Sequence, residues 1–142
     1  MSEPAKINVS YTGVMSPESI DHGTVTPWAT LLSKFDIPRD WKVHAHHMTI
    51  CMGASEDRSI IGQEVELEIV GIGKDENAMA LLVKSPLESK NDNPHITLAT
   101  APNKKPYLSN FIKNWEKLED SMSVTGVVAE VAQGGEIINV VR

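Results

Sequence analysis

The chain is short of cysteine, of aromatic residues and of basic charge, and it has no long apolar run. Its single cysteine, Cys51, excludes an internal disulfide framework and is compatible with a reducing compartment. Aromatic residues make up 5% of the 142 positions, so the core must be built mainly from aliphatic side chains. No apolar stretch approaches the ~20 residues of a membrane-spanning helix, which argues against a membrane partner. Thirteen Lys and Arg stand against nineteen Asp and Glu, a net charge of −6. A protein that tracks long nucleic acid carries a basic stripe, and here the only dense basic spot is Lys104-Lys105. Long nucleic acid is therefore excluded as a partner, while a small nucleotide with one or two phosphates is not. The opening Met1–Lys6 segment lacks the apolar stretch of a signal peptide. We expect a cytoplasmic protein, one domain over 1–142, with its oligomeric state open.

What is present is a pattern of short alternating segments. Ile7, Val9 and Tyr11 alternate with polar residues over 6–15, which predicts a strand, with Gly13 marking a bulge or a close backbone approach. Ser16-Pro17 reads as an N-cap with proline in the first helical turn, opening a short helix that His22-Gly23 ends. Thr26-Pro27 repeats that signature ahead of Trp28, Leu31, Leu32 and Phe35, predicting a helix over 27–35. A strand is expected over 41–52. Val65, Leu67 and Ile69 alternate with Glu64, Glu66 and Glu68, and 63–84 reads as a hairpin turning at 73–77. A loop over 85–94 leads to a strand over 95–100. Pro106 opens an expected helix with Leu108, Phe111, Ile112 and Trp115 on its apolar side. Strands over 124–132 and 136–141, joined by Gln133-Gly134-Gly135, predict a terminal hairpin.

Two tetrapeptides carry the chemistry: His47-Met48-Thr49-Ile50 and His95-Ile96-Thr97-Leu98. On a strand, His and Thr two apart share one face and the intervening apolar residues take the other. Two such strands side by side would bring two imidazoles and two hydroxyls together. Histidine can give or take a proton near neutral pH, and a hydroxyl can hydrogen-bond a phosphate oxygen as charge builds on it. The set suits cleavage of a phosphodiester and needs neither metal nor cofactor. His44 and His46 invite a metal reading, but Met48 stands where a His-x-His-x-Asp-His hydrolase needs its aspartate. Strand parity instead turns His44 and His46 away from His47, one exposed and one packed behind the strand.

These motifs resemble the paired His-apolar-Thr/Ser-apolar motifs of the 2H phosphoesterase superfamily. Tyr11-Thr12-Gly13-Val14-Met15, Ala45-His46-His47-Met48-Thr49 and Asn93-Pro94-His95-Ile96-Thr97 resemble more narrowly the bacteriophage anti-CBASS phosphodiesterases. The resemblance implies an α+β fold of two lobes, each an antiparallel sheet carrying one motif strand, with helices outside and the active site between the sheets. It implies His47, Thr49, His95 and Thr97 as catalytic residues and a metal-independent reaction, with either histidine as base. The implied substrate is a cyclic di- or trinucleotide immune messenger, met in the host cytoplasm. By the same resemblance Tyr11 stacks on a base and Glu130 reads a base edge. The plainer alternatives are a core tyrosine beside Val9 and a solvated strand glutamate. Two rival functions stay open: an RNA-processing 2′,3′-cyclic phosphodiesterase of the same fold, and a non-catalytic protein that sequesters nucleotides.

Overall fold

The computed structural model describes residues 9–55, 57–87 and 94–139. Residues 6–8 of the expected first strand, 88–93 of the expected loop and 140–141 of the expected last strand lie outside these. The described strands are β1 (Val9–Met15), β2 (Lys42–Val43), β3 (His47–Met52), β4 (Glu64–Lys74), β5 (Ala78–Lys84), β6 (His95–Thr100), β7 (Trp115–Ala132) and β8 (Ile137–Asn139). Two six-residue helices, α1 (Pro17–His22) and α2 (Ala29–Lys34), lie between β1 and β2. None of the described helices is long and apolar enough to cross a membrane.

The two-lobed α+β expectation is overturned. Half of the described residues are strand and 16% are helix, and six strands close into one antiparallel barrel. The hydrogen-bonded order is β1-β3-β6-β5-β4-β7, and β7 pairs again with β1. The His-x-Thr strands are thus neighbours in one curved sheet and not opposed across a gap between two. Closure depends on close backbone approach at β1. A side-chain carbon on Gly126 of β7 would lie 2.5 Å from Val14 Cγ1 and 2.7 Å from the Met15 carbonyl oxygen, and one on Gly13 would lie 2.8 Å from the Met48 carbonyl oxygen. The bulge expected at Gly13 is present, between Thr12 and Gly13 in the β1–β3 register.

The alternating apolar residues fill the ring. Val65, Leu67 and Ile69 of β4 are buried between exposed Glu64, Glu66 and Glu68, and they join Met48, Ile96 and Leu98 in the main core cluster. The hairpin over 63–84 forms as expected. Its turn is held by Asp75, whose Oδ1 accepts from the N–H groups of Asn77 at 2.7 Å and Ala78 at 2.9 Å. Ser16 caps α1, its Oγ accepting from Ser19 N at 3.0 Å. α2 is shorter than expected and begins at Ala29, whose N–H is taken at 2.8 Å by Glu18 Oε2 of α1 and not by its own N-cap residue Trp28.

Two elements depart from the sequence pattern. Residues 106–111 form a 3-10 helix that stops before Trp115, and Trp115 instead starts the 18-residue β7. The strand expected over 41–52 breaks at 44–46, where Ala45 has φ 52°. Replacing Gly126 by Ala places a methyl group against fixed backbone at the closing seam. We expect urea unfolding to show a loss of ~1–3 kcal/mol; an unchanged midpoint would contradict this account of closure.

Candidate active site

The site is built on one cross-strand pair. Met48 of β3 faces Ile96 of β6 in antiparallel register. One residue further in each direction, that register sets His47 across from Thr97 and Thr49 across from His95. Met48 and Ile96 point into the core, so both His-Thr pairs point outward. The four catalytic residues expected from the sequence line one cleft of about 390 Å³. That volume takes a small ligand. The 3-10 helix 106–111 forms one wall, contributing Tyr107 and Ser109, and the turn at Gly134 and Gly135 with Val25 forms another.

Tyr11 also lines the cleft. Its ring stacks on His47 with centroids 4.4 Å apart, and its hydroxyl lies 3.3 Å from His47 Nδ1. It is therefore neither a pure core residue nor a free platform. Glu130 is not among the lining residues. It pairs with Thr12, sits fully buried on β7, and its Oε2 accepts from Ser55 N at 3.3 Å. The solvated alternative for Glu130 fails as well, because the side chain is 0% exposed.

His44 and His46 do not face away. Both line the cleft with His47. The left-handed turn at Ala45 removes the strand parity on which the opposite expectation rested. His46 stacks on His47 at 4.7 Å between centroids, and His44 meets His46 edge-on at 5.9 Å. His44 Nε2 lies 3.0 Å from Thr100 Oγ1. Thr100 itself faces outward because the β5–β6 register shifts between Met79 and Ala80. Cys51 lines the cleft with His47 and Thr49, as parity groups it, and also packs against the main core cluster.

Ser109 is a site residue that no motif announces. It is 1% exposed, and its Oγ lies 2.9 Å from His95 Nε2 and 2.7 Å from Thr97 Oγ1. It also donates to the Pro106 carbonyl at 2.8 Å. A hydroxyl has one proton and two lone pairs. While Ser109 donates to Pro106, its Oγ can accept from both His95 Nε2–H and Thr97 O–H. The only trace in the sequence is the Pro106-x-x-Ser109 spacing, in which Ser109 Oγ can meet the carbonyl three residues back. Trp115 packs at a tilt against the ring of His95, with centroids 5.9 Å apart.

Two outward-facing His-Thr pairs in crossed register thus share one cleft. The family described as fungal tRNA ligase phosphodiesterase domain matches residues 28–140. The chain belongs to that family. It is of the 2H phosphoesterase type, so this chain is a 2H phosphodiesterase. The match contains both motifs and leaves Tyr11 outside it. No curated protein and no solved structure matches the chain.

The electrostatics of the phosphodiesterase site favour neutral imidazoles. Burial, then the charges of His46, His44 and His95, hold His47 well below the ordinary 6.5. Burial and then His44 lower His46 to about 4, and burial and then Lys42 lower His44 to about 4. Burial pushes the Tyr11 phenol up, so it stays protonated. Each depressed histidine binds its proton more weakly folded than unfolded. The folded state is therefore unpenalised above about pH 6.5 and loses stability as pH falls toward about 4. Thermal unfolding should show a falling midpoint between about pH 7 and pH 5, before most carboxylates titrate. A midpoint that stays level across that range would contradict the neutral cluster.

Proposed function

We propose that this protein opens 2′,3′-cyclic phosphates of nucleotides and short RNA ends by acid–base catalysis without a metal ion. The crossed arrangement of His47-Thr49 and His95-Thr97 in one cleft carries the reading. His47 is the base: its Nε2 faces Thr49 Oγ1 at 3.1 Å, and its low proton affinity keeps it neutral. His95 is the acid in its doubly protonated, imidazolium form: its Nε2–H, held by Ser109 Oγ at 2.9 Å, turns to the leaving oxygen. His47 Nε2 takes the proton of the attacking water as its oxygen adds to phosphorus. The His95 imidazolium gives its Nε2 proton to the departing ribose oxygen and is left neutral, and Thr49 and Thr97 turn their hydroxyl protons to the non-bridging oxygens as charge grows. The product is a phosphomonoester with one free ribose hydroxyl. The next turnover returns the proton from His47 to water and reloads His95.

A second reading keeps the groups and changes the substrate. A cyclic di- or trinucleotide with a 3′–5′ linkage would give its 2′-hydroxyl proton to His47 and receive the His95 proton on its 5′-oxygen. This would suit a phage protein that removes a bacterial immune signal. Tyr11 favours it, since an aromatic ring beside the base can stack on a nucleobase. The net charge of −6 also suits a small ligand better than a long RNA. Glu130 gives this reading no support, being buried away from the cleft.

Incubation in EDTA with nucleoside 2′,3′-cyclic phosphates, 2′,3′-cyclic-ended RNA, and cyclic di- and trinucleotides separates the two. We expect turnover of the cyclic-phosphate ends to persist in EDTA. Activity confined to cyclic oligonucleotides would transfer the assignment to the second reading, and a wholly 2′–5′-linked ring should resist either way. Loss of all turnover in EDTA with rescue by a divalent ion would refute both. His47→Ala and His95→Ala should each lower kcat by ~10²–10⁴-fold. Thr49→Ala and Thr97→Ala should cost less, as each removes one hydrogen bond.

A further inference from the structure

We propose that His46 is a positioning residue that holds His47 as the Nδ1–H tautomer, keeping Nε2 bare toward the cleft. The inference rests on the reading of His47 as the base. The two Nδ1 atoms lie 2.7 Å apart. Two bare nitrogens at that distance would set lone pair against lone pair, and two protonated ones would collide. One proton lies between them. If His47 carries it, His46 accepts it and His47 Nε2 is free to take a proton from substrate or water.

The backbone is arranged to make this contact. Consecutive residues of a strand point to opposite faces, so His46 and His47 could not stack in a regular strand. They stack because Ala45 adopts φ 52°, which disfavours any residue with a side chain. Three backbone hydrogen bonds hold Ala45 and His46: Trp28 N to Ala45 O at 2.8 Å, Ala45 N to Thr97 O at 2.8 Å, and Ser16 N to His46 O at 3.0 Å. Strain that the surroundings enforce is a feature of functional sites. The one through Thr97 runs to the second motif strand, so the histidine pair and the second His-Thr motif are set relative to each other.

The role also fills a gap. A catalytic imidazole commonly has its second nitrogen oriented by a carboxylate. None of the described residues lining the cleft is Asp or Glu. The groups facing His47 are Tyr11 from β1, His44 and His46 from the broken segment, Thr49 from its own strand and His95 from β6. Tyr11 lies at 3.3 Å, longer than the His46 contact, and as a protonated phenol it has its own proton to place. His46 is neutral near pH 7, burial holding it to about 4, so its Nδ1 lone pair is available. When His47 gains its second proton, the bond to His46 becomes charge-assisted and strengthens as the reaction proceeds.

Long-range ¹H–¹⁵N spectra of the full-length protein at neutral pH test this without reference to activity. We expect His47 to show a protonated Nδ1 and a bare Nε2, and the Nε2–H tautomer would overturn the proposal. His46→Leu keeps bulk and removes the acceptor, while His46→Asn restores an amide oxygen near the position of Nδ1. We expect His46→Leu to shift His47 toward the Nε2–H tautomer and lower kcat by about ten-fold with KM little changed, and His46→Asn to recover most of both. Equal losses in the two variants with the tautomer unmoved would show that His46 only packs. If His46→Leu does not fold, the wild-type spectrum and His46→Asn still decide. A protein inactive on every cyclic phosphodiester but showing the Nδ1–H form would refute the proposed function and leave the histidine pair intact.

Discussion

Everything at the site depends on the pairing of Met48 with Ile96. This one bridge fixes the register of β3 on β6 and crosses the two His-Thr pairs, each histidine facing the other motif's threonine. The same pair anchors both strands in the core, since Met48 and Ile96 are fully buried. A slip of one residue would turn every catalytic side chain inward. The register is defended by burial on one face, with Ile50 and Leu98 flanking the pair in the same cluster. Packing and catalysis are thus two faces of the same short strands.

The closed barrel gives that pairing its rigidity. In a two-lobed protein the motif strands would lie across a gap, and their separation would follow the movement of the lobes. Here they are adjacent rungs of one ring, sealed where β1 bridges β3 and β7. The cleft is roofed by the 106–111 helix and the turn at Gly134 and Gly135. Ser109 reaches from that roof to His95 and Thr97, so the wall of the cleft is tied to one of the two motifs.

Much of this was legible in the sequence, and the failures share a cause. Alternation located β4, the hairpin and both motif strands because side chains on a strand repeat every two residues. It placed His47 with Thr49 and His95 with Thr97 on one face each, and the stretches 47–49 and 95–97 keep their register. It failed where the backbone departs from regularity without warning: at Ala45, whose left-handed turn brings His44 and His46 into the cleft. No glycine or proline marks that residue. The apolar spacing at Leu108, Phe111, Ile112 and Trp115 fits a helix, but Trp115 is claimed by pairing with Gly73 on β4, a long-range contact no local pattern records. Closure is equally non-local. The same alternation fits two open sheets or one ring, and the choice is made by β1 pairing on both edges. Glu130 illustrates the limit of carrying a role across by resemblance: its position on β7 is as expected, but its side chain belongs to the core.

The account's central claim is that the two crossed His-Thr pairs act on a single phosphodiester. A crystal structure with a nucleoside 2′,3′-cyclic vanadate, which imitates the pentacoordinate transition state, tests this most directly. The account predicts the vanadium centre between the motif strands, with His47 Nε2 and His95 Nε2 on opposite apical oxygens and both threonine hydroxyls on equatorial ones. Vanadate bound to one histidine alone, or outside the cleft, would contradict it.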